Sequence, residues 1–370
     1  MSRIDDLISK YCPNGVEYKD LVSLAKIETG KLNANAMVKG GQYKFFTCSR
    51  EVFEIDHYRW DTEALLIAGN GDIGLVHYFV GKFDAYQRTY VLTEFSDIIL
   101  AKYLHYCLLN GFRDYALAHT KEGSVPYVTL KTIENFSVPV PPLPVQEEIV
   151  KILDSFTELE AELEAELEAR KKQYEHYRDK LLNFADISQG GVRTMALSEI
   201  ASVLRGKRLT KSQLIENGAY PVFHGGIEPL GYYDQKNRDG NSVMVINVGA
   251  SAGTVGFSSV DFWSSDGCFT IGHSDICLSK YLYYVLVSKE QLLKSRVRVA
   301  GIPTLDNAVV EKIQIPVPSL EEQERIVSIL DKFDALVNDI SKGLPAEINA
   351  RRQQYEYYRD KLLNFEPIAA

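Results

Sequence analysis

The stretch QYEHYRDKLLNF, residues 173–184, recurs as QYEYYRDKLLNF at residues 354–365, and eleven of the twelve positions are identical. The match continues on the amino-terminal side of both copies. Three further pairs of segments correspond: VPVPPLPVQEEIVKILDSF (138–156) with IPVPSLEEQERIVSILDKF (315–333), SDIILAKYL (96–104) with SDICLSKYL (274–282), and, weakly, LVSLAKIETGK (21–31) with LSEIASVLRGK (197–207). The chain is therefore a tandem repeat, in which each half reads as a globular unit, a proline-rich hinge and a long helix.

Length and composition are those of a globular protein with two domains. The 370 residues exceed one ordinary core, and 45% hydrophobic with 25% charged residues is typical of globular chains. No apolar run approaches the roughly 18 residues that span a bilayer. The start, MSRIDDLISKYC, carries acidic residues where a signal peptide is apolar. We therefore expect a cytoplasmic protein.

The net charge of -9 is unevenly distributed. Segment 146–184 carries -5, from 6 basic and 11 acidic residues, and segment 319–370 carries -3, from 7 and 10. An acidic total argues at first against DNA, because phosphate binding depends on Lys and Arg. The globular segments are close to neutral, however, and a near-neutral domain can carry a basic face. DNA binding is therefore not excluded.

Short β-rich runs and one late helix follow each other within each globular segment. ALLIAG, LVHYFV, VMVINV and TVGF predict strands separated by Gly-rich turns, and AKYLHYCLL and SKYLYYVLV predict the helix. We predict an α+β fold with two tandem mixed α/β domains and two long helical regions. The predicted boundaries are 1–145 and 186–318 for the domains, and 146–185 and 319–370 for the helical regions.

Apolar residues recur at three-and-four spacing from Ile149 to Leu181 and again from Ile326 to Leu362, which predicts one apolar stripe along each helix. A helix of about 40 residues is about 60 Å long and cannot bury such a stripe against a small domain alone. We therefore expect the two helices to pack as an antiparallel coiled coil with a pseudo-twofold axis.

The two helical regions differ in the middle. LEAELEAELEA, residues 159–169, repeats every four residues, so its leucines spiral around a helix of about 3.6 residues per turn. The second region has SKGLPAEINARR instead, and Gly343 and Pro345 should break or kink the helix there.

Two short motifs suggest enzymes when read alone. GNGDIG (69–74) fits the dinucleotide fingerprint GxGxxG, and GASAG (249–253) fits the nucleophile elbow GxSxG around Ser251. Both motifs require a following helix, whereas the strand-like runs LVHYFV and TVGF follow here. The motifs also occupy corresponding places in the two repeats, so we interpret them as one shared Gly-rich turn.

No other segment predicts catalysis or a bound metal. The five cysteines are scattered without a CxxC pair and are interpreted as buried reduced thiols. The seven histidines lack ligand spacing, and neither GxxxxGK[ST] nor HExxH occurs. We therefore expect no catalytic residue, no metal and no cofactor in this chain.

The doubled hinge and helix signature resembles the specificity subunit of type I restriction-modification systems. The resemblance covers essentially the whole chain and rests on VPVPPLPVQEEIVKILD with RKKQYEHYRDKLLNF, on the second copies of both, and on CPNGVEYKDL near the start. It implies two target recognition domains that each read half of a split DNA site and are held apart by the helices. It also implies two methyltransferase subunits that use S-adenosylmethionine and restriction subunits that use ATP and Mg.

Base-contacting residues cannot be transferred by motif, so we select them by chemistry. Phosphate contact favours Lys, Arg and turn amides, and base reading favours Arg, Asn, Gln, Ser or His on loops. The candidate DNA-binding residues are Lys31, Tyr43, Lys44, Ser49, Arg50, Asn70, Arg88, Lys121, Arg205, Lys207, Arg208, Lys211, His224, Asn247, Ser251, Arg296 and Arg298. The stretches RGKRLTK and KSRVR are the most basic of the chain.

The duplicated stretch divides into an apolar and a polar part. Its apolar part is interpreted as a packed stripe: Tyr174, Tyr177 and Leu181 with Tyr355, Tyr358 and Leu362. Its polar part is interpreted as a surface for two copies of one partner: Glu175, Arg178, Asp179, Lys180, Glu356, Arg359, Asp360 and Lys361. The leading hypothesis is a non-catalytic subunit that reads a bipartite asymmetric DNA site and recruits methyltransferase and restriction subunits. The alternatives are a coiled-coil scaffold joining two protein-binding domains and a hydrolase built on Ser251.

Overall fold

The structure is a computed structural model and describes residues 3–120, 126–184, 192–338 and 342–368. The chain forms two compact units. Unit 1 comprises Met1–Leu163 and Ile348–Ala370, and unit 2 comprises Glu164–Glu347. Each unit therefore combines one globular domain with helical segments from both halves of the sequence.

Unit 1 is built around a six-stranded sheet. Its elements are α1 (Arg3–Tyr11), β1 (Glu17–Asp20), α2 (Leu21–Leu24), β2 (Lys26–Thr29), β3 (Tyr43–Phe46), β4 (Phe53–Ile55), β5 (Trp60–Ala68), β6 (Val76–Ala85), β7 (Thr89–Thr93), α3 (Ala101–Ala118), α4 (Leu130–Glu134), β8 (Ser137–Val140) and the start of α5 (Leu143–Leu182). The sheet order is β2, β7, β5, β6, β3, β4, and all neighbours are antiparallel except the parallel pair β3 and β6. A separate antiparallel pair joins β1 to β8.

The central strand β5 supplies side chains to two cores. Leu65 and Ile67 pack in the same cluster as Leu104 and Leu108 of α3, whereas Leu66 packs with buried side chains of β6 and β3. This alternation follows from the two-residue period of a strand. The first cluster also contains Val145, Ile149 and Leu153, so the start of α5 is part of the domain core.

Unit 2 repeats this layout. Its elements are the end of α5, β9 (Arg193–Ala196), α6 (Leu197–Ile200), β10 (Val203–Arg205), β11 (Tyr220–Phe223), β12 (Gly231–Tyr233), β13 (Ser242–Ile246), β14 (Val255–Ser258), β15 (Trp263–Ser264), β16 (Cys268–Ile271), α7 (Ser279–Ser288), α8 (Glu290–Ser295), α9 (Asn307–Glu311), β17 (Gln314–Val317), α10 (Leu320–Val337) and the start of α11 (Gly343–Leu363). The predicted strands, late helices and hinge strands are confirmed in both units.

The main difference between the units is one interrupted strand. Unit 2 has a four-stranded sheet β10, β16, β13, β14 and a three-stranded sheet β12, β11, β15, which together match the six-strand order of unit 1. Strands β14 and β15 stand where unit 1 has the continuous β6, and residues 259–262 separate them. In the part of β6 that corresponds to residues 259–262, Gly81 has a φ of +132°, a conformation that favours glycine.

A fully buried glutamine fixes the start of the long helix in each unit. Gln146 makes three side-chain hydrogen bonds to the main chain, with Leu100 N at 2.9 Å, Ile98 O at 2.8 Å and Pro141 O at 2.7 Å. Gln323 repeats all three, with Leu278 N at 2.9 Å, Ile276 O at 3.0 Å and Pro318 O at 2.9 Å. Each glutamine therefore ties the hinge to the segment that precedes α3 or α7.

The helical regions pack in antiparallel fashion within unit 1. Phe156 of α5 stacks on Tyr358 of α11 with ring centroids 5.6 Å apart, and Glu160 accepts a hydrogen bond from Arg352 at 2.5 Å. The partner number falls as the α5 number rises, so the two helices run in opposite directions. In unit 2 the second half of α5 packs on α10, since Tyr177 stacks on Phe333 at 5.7 Å.

The predicted break in the second helical region is confirmed. Helix α10 ends at Val337, and α11 begins at Gly343, which has a φ of +71°. Pro345 lies in the first turn of α11, where a missing N–H leaves no helical hydrogen bond unmade.

Residues after α11 complete the domain of unit 1. Val16 N donates to Glu366 O at 2.9 Å, Ile368 N donates to Val16 O at 3.1 Å, and the Tyr18 hydroxyl donates to Phe365 O at 2.7 Å. Leu362, Leu363 and Phe365 are buried in the same cluster as Ile4 of α1. The second copy of the duplicated stretch therefore packs on the first globular domain.

Candidate nucleic-acid interface

The two Gly-rich motifs form equivalent hairpin turns, as interpreted from the sequence. GNGDIG joins β5 to β6 and GASAG joins β13 to β14, so a strand follows each motif. The nucleophile-elbow and dinucleotide interpretations both need a helix there and are wrong for this chain. A Cβ at Gly74 would meet Arg113 Cβ at 2.6 Å, and one at Gly253 would meet Lys294 N at 2.9 Å. Both turns therefore lie directly against a helix.

Two arginines share the carboxylate of Asp72 in the turn of unit 1. Arg50 Nε donates to Asp72 Oδ2 at 2.8 Å, and Arg113 Nη1 donates to Asp72 Oδ1 at 3.0 Å. Hydrogen bonds from Arg50 and then Arg113 hold the pKa of Asp72 below its usual value, so the carboxylate stays ionised. The arginine side chains are 80% and 53% exposed. Two cations are thus oriented by one anion at an open edge.

Four other candidates of unit 1 lie on loops that are joined to this turn: Lys31, Ser49, Asn70 and Arg88. Arg88 O accepts from Gly69 N at 2.9 Å, and Gln87 N donates to Leu32 O at 2.9 Å. The Asp72 amide donates to Cys48 O at 3.3 Å, next to Ser49. The loops after β2, β3 and β5 and the β6–β7 turn therefore meet at one edge.

Tyr43 and Lys44 are not part of this edge group. They lie at the start of β3, whereas the loop that carries Ser49 and Arg50 comes after its end. Lys44 Nζ is 4.0 Å from Glu54 Oε1, and Tyr43 packs edge-on against Tyr58. Lys121 lies outside the residues that the structure describes.

Unit 2 presents a more basic edge at the corresponding place. Lys207 N donates to Ser264 O at 2.9 Å, and Leu209 N donates to Ser265 Oγ at 3.3 Å, which holds the RGKRLTK loop against the segment after β15. Four exposed cations of this loop make no ion pair with any described carboxylate: Arg205, Lys207, Arg208 and Lys211. Such uncommitted cations suit phosphate contact.

Four of the remaining candidates of unit 2 are at least partly exposed: His224, Arg298, Arg296 and Ser251. His224 is partly exposed, lies 3.3 Å from Asp266 and accepts a hydrogen bond from Gly267 N at 3.2 Å. Arg298 Nη2 lies 3.2 Å from Asp306 Oδ1, and Arg296 is exposed. Ser251 is half-buried in the hairpin turn.

Asn247 corrects the sequence prediction. Its side chain is only 4% exposed, because the residue comes directly after the buried strand β13, and it therefore cannot reach DNA. Its main chain instead connects two loops, since Asn247 N donates to Gly267 O at 3.2 Å and Asn247 O accepts from Leu305 N at 2.8 Å.

Neither Arg113 nor Lys294 is among the predicted DNA-binding residues, although Lys294 begins the basic stretch KSRVR. Arg113 of α3 and Lys294 of α8 both lie against the Gly-rich turn of their unit. Lys294 Nζ is bound to Glu290 Oε1 at 2.5 Å, whereas Arg113 is bound to Asp72. The signal available in the sequence was their shared position, since each lies a similar distance after the matching segments at 96–104 and 274–282.

The duplicated stretch places most of its polar residues at the surface. Six candidates for partner binding are exposed: Glu175, Asp179, Lys180, Glu356, Asp360 and Lys361. Arg178 and Arg359 are only 14% and 23% exposed, because each lies over the ring of the tyrosine four residues before it and binds the following aspartate. These two arginines are thus largely committed to their own chain.

The apolar part of the duplicated stretch is only partly packed. Tyr174 and Leu362 are buried, whereas Tyr177 and Tyr358 are 40% and 36% exposed and stack on Phe333 and Phe156 of the facing helix. The two tyrosines therefore take part in the predicted packing between helices, but at its margin, where part of each ring stays exposed.

The cysteines are free, and four of the five are buried as expected, while Cys48 is partly exposed. Burial raises the pKa of the Cys107, Cys268 and Cys277 thiols to about 12. Within the described ranges, His, Cys, Asp and Glu form no group of three or more suited to a metal. In the same ranges, no helix is long and apolar enough to cross a membrane.

Comparison with known proteins gives one consistent family. The profile of the type I restriction modification DNA specificity domain matches residues 13–169 and 190–350. A putative type I restriction enzyme specificity subunit of Haemophilus influenzae is 32% identical over 383 residues, covering 95% of this chain and 96% of that protein. The EcoR124I/EcoR124II specificity subunit of Escherichia coli is 35% identical over 296 residues, covering 72% of this chain and 71% of that protein.

The fold also matches a solved structure. The crystal structure of a type I restriction-modification S subunit from M. genitalium superposes with a TM-score of 0.68 at 18% identity, covering 94% of this chain and 96% of that one. The tandem domains, their loop edges and these matches define a DNA specificity protein, and the chain belongs to the family of type I restriction-modification DNA specificity subunits. It carries two DNA specificity domains, which supports the leading hypothesis over the coiled-coil scaffold.

Proposed function

We propose that this chain reads a bipartite, asymmetric DNA site, one half with each unit. The supporting observation is that one architecture is built twice with different chemistry at the same edge. Unit 1 presents Arg50 and Arg113 fixed by Asp72, whereas unit 2 presents four cations that are not committed to carboxylates. Equivalent scaffolds with different edge residues suit two different half-sites.

The proposed contacts are the accessible edge residues. In the domain at 1–145 they are Lys31, Ser49, Arg50, Asn70 and Arg88, joined by Arg113. In the domain at 186–318 they are Arg205, Lys207, Arg208, Lys211, His224, Ser251, Arg296 and Arg298. The helical regions at 146–185 and 319–370 would then set the spacer between the half-sites.

The proposed partners are double-stranded DNA, two methyltransferase subunits and restriction subunits. The six exposed polar residues of the duplicated stretch would offer the same surface twice, which suits two copies of one methyltransferase subunit. S-adenosylmethionine, ATP and Mg would bind to those partners, and this chain would take part in the reaction in the cytoplasm as a non-catalytic subunit.

Mapping adenine methylation genome-wide in cells with and without the gene tests the proposal. The expected result is that one split motif, with two defined halves and a fixed spacer, loses its methylation on deletion. Replacing Arg50 and Arg113 by Ala should lower methylation by weakening recognition of the first half-site alone. Arg205→Ala with Arg208→Ala should lower methylation by weakening recognition of the second half-site alone. If no split motif loses methylation in the deletion strain, the proposal fails.

A further inference from the structure

A short hairpin in unit 2 carries two aliphatic side chains at its tip. Arg298 N donates to Thr304 O at 2.9 Å, and Thr304 N donates to Arg298 O at 3.0 Å, so residues 299–303 form the loop. Val299 is 80% exposed and Ile302 is 71% exposed. Among the residues that the structure describes, these are the two most exposed large hydrophobic side chains.

The hairpin is held firmly at its base. Gly249 N donates to Pro303 O at 2.9 Å, and Leu305 N donates to Asn247 O at 2.8 Å. Leu305 is buried, and the Arg298 guanidinium lies 3.2 Å from Asp306. Since the residues on both sides of the 299–303 loop are fixed, one side to the Gly-rich turn, the exposed tip is held in one conformation before it binds a partner.

The hairpin belongs to the basic edge of unit 2. Its anchor on residues 247–249 is hydrogen-bonded to Gly267, and Gly267 also contacts His224. Arg296 and Arg298 are exposed and come just before the tip in the chain, and Gly301 at its end has open space around it. The arginines complement the negative phosphates of DNA, and the apolar tip complements the stacked bases between the phosphate backbones.

We propose that Val299 and Ile302 form a wedge that enters the second DNA half-site and partly unstacks one base step. The inference rests on the proposed reading of DNA by unit 2. Aliphatic side chains that insert between base pairs leave water and permit a bend that brings more of the edge into contact. Pyrimidine–purine steps are the most easily unstacked, so the wedge should select for such a step without bonding to its bases.

Fluorescence of 2-aminopurine tests the wedge in the full complex with its methyltransferase subunits. The probe replaces, one at a time, each purine of the mapped second half-site other than the methylated adenine. Wild-type protein should raise the fluorescence at one step. The double variant Val299→Ser with Ile302→Ser should lose that rise and bind about tenfold more weakly, because two aliphatic side chains no longer leave water.

Ile276→Ser is the matched control, because Ile276 is an exposed aliphatic residue of the same unit that precedes α7 rather than following α8. It should behave as wild type. The wedge is refuted if wild type raises fluorescence at no step, or if the double variant keeps both the rise and the affinity. Loss of co-purifying methyltransferase with unchanged DNA binding would assign the tip to a protein contact instead. These outcomes leave the mapped methylation motif standing, so they are distinct from a failure of the proposed function.

Discussion

Arg50 donates its Nε hydrogen to Oδ2 of Asp72 at 2.8 Å, and both side chains belong to loops that meet at the edge of the first sheet. The pair connects positions 22 residues apart, and the other carboxylate oxygen reaches Arg113 on α3. Exposed ion pairs of this kind contribute only about 0–1 kcal/mol to folding. Their effect is expected in DNA binding, since the shared anion fixes the direction of two cations.

Replacing Asp72 by Asn should reduce discrimination rather than binding. The variant frees two arginines from an anion, so affinity for unrelated DNA should rise while the ratio of matched to unrelated affinity falls about tenfold, or ~1.4 kcal/mol. Fluorescence anisotropy with matched and unrelated duplexes measures both. Asp114→Asn, an exposed change next to Arg113, should alter neither. An unchanged ratio for Asp72→Asn would argue against the role of the shared carboxylate.

Gln146 should be essential for the stability of unit 1. Gln146→Leu keeps the volume but leaves Leu100 N, Ile98 O and Pro141 O without their buried partner, which costs about 3 kcal/mol. Urea unfolding of the purified protein should show a lower midpoint. Gln353→Leu on the exposed face of α11 is the control and should leave the midpoint unchanged. A wild-type midpoint for Gln146→Leu would contradict the importance of these hydrogen bonds.

The sequence predicts the repeated architecture well but not such tertiary contacts. Hinge strands, late helices and Gly-rich turns can be derived from local patterns, and the duplicated segments identify them twice. Glutamine is usually exposed, and the burial of Gln146 depends on carbonyls contributed partly by a segment about 48 residues earlier. The local sequence pattern around Gln146 carries no information about this contact with a distant segment.

The candidate interface shows the same limit. Cations on loops could be selected by residue type, and most of them do lie at the edges. Position on a loop does not give burial, however, so Asn247 fits the same criterion although it is only 4% exposed. Arg113 was missed because its approach to the turn requires α3 to pack against the sheet, which is a tertiary event.

His105 should make unit 1 sensitive to mild acid. Burial lowers the pKa of His105 from 6.5 to about 4, so the folded state binds this proton less readily than the unfolded state. Between those values the unfolded chain carries more protons, and stability therefore falls as the pH decreases from 6.5 towards 4, by up to about 3 kcal/mol.

Thermal unfolding midpoints from pH 7.5 to 4 check this dependence. His105→Gln removes the titrating group and should show a shallower fall over that range than wild type. His176→Gln, in the exposed part of the duplicated stretch, should keep the wild-type slope. Parallel curves for wild type and His105→Gln would assign the acid sensitivity to other groups.

Shortening α5 should change the spacer of the DNA site. Deleting residues 160–163, one unit of the LEAE repeat, removes about 6 Å of helix and rotates the remainder of α5 by about 40°. Methylation mapping should then give a motif with the same half-sites and an altered spacer, or no methylation at all. Substituting Ala for Glu162 preserves the length and should preserve the spacer. A changed half-site with an unchanged spacer would contradict the prediction.

The pairing of Val16 with Glu366 imposes an order on folding during synthesis. All segments of unit 2 precede residue 348, so they are synthesised before the last segment that unit 1 needs. Unit 1 begins first yet must wait for residues 348–368, which close contacts across almost the full length of the chain. The earlier-made domain is therefore the later one to mature, and until then its exposed core surface is open to chaperones and proteases.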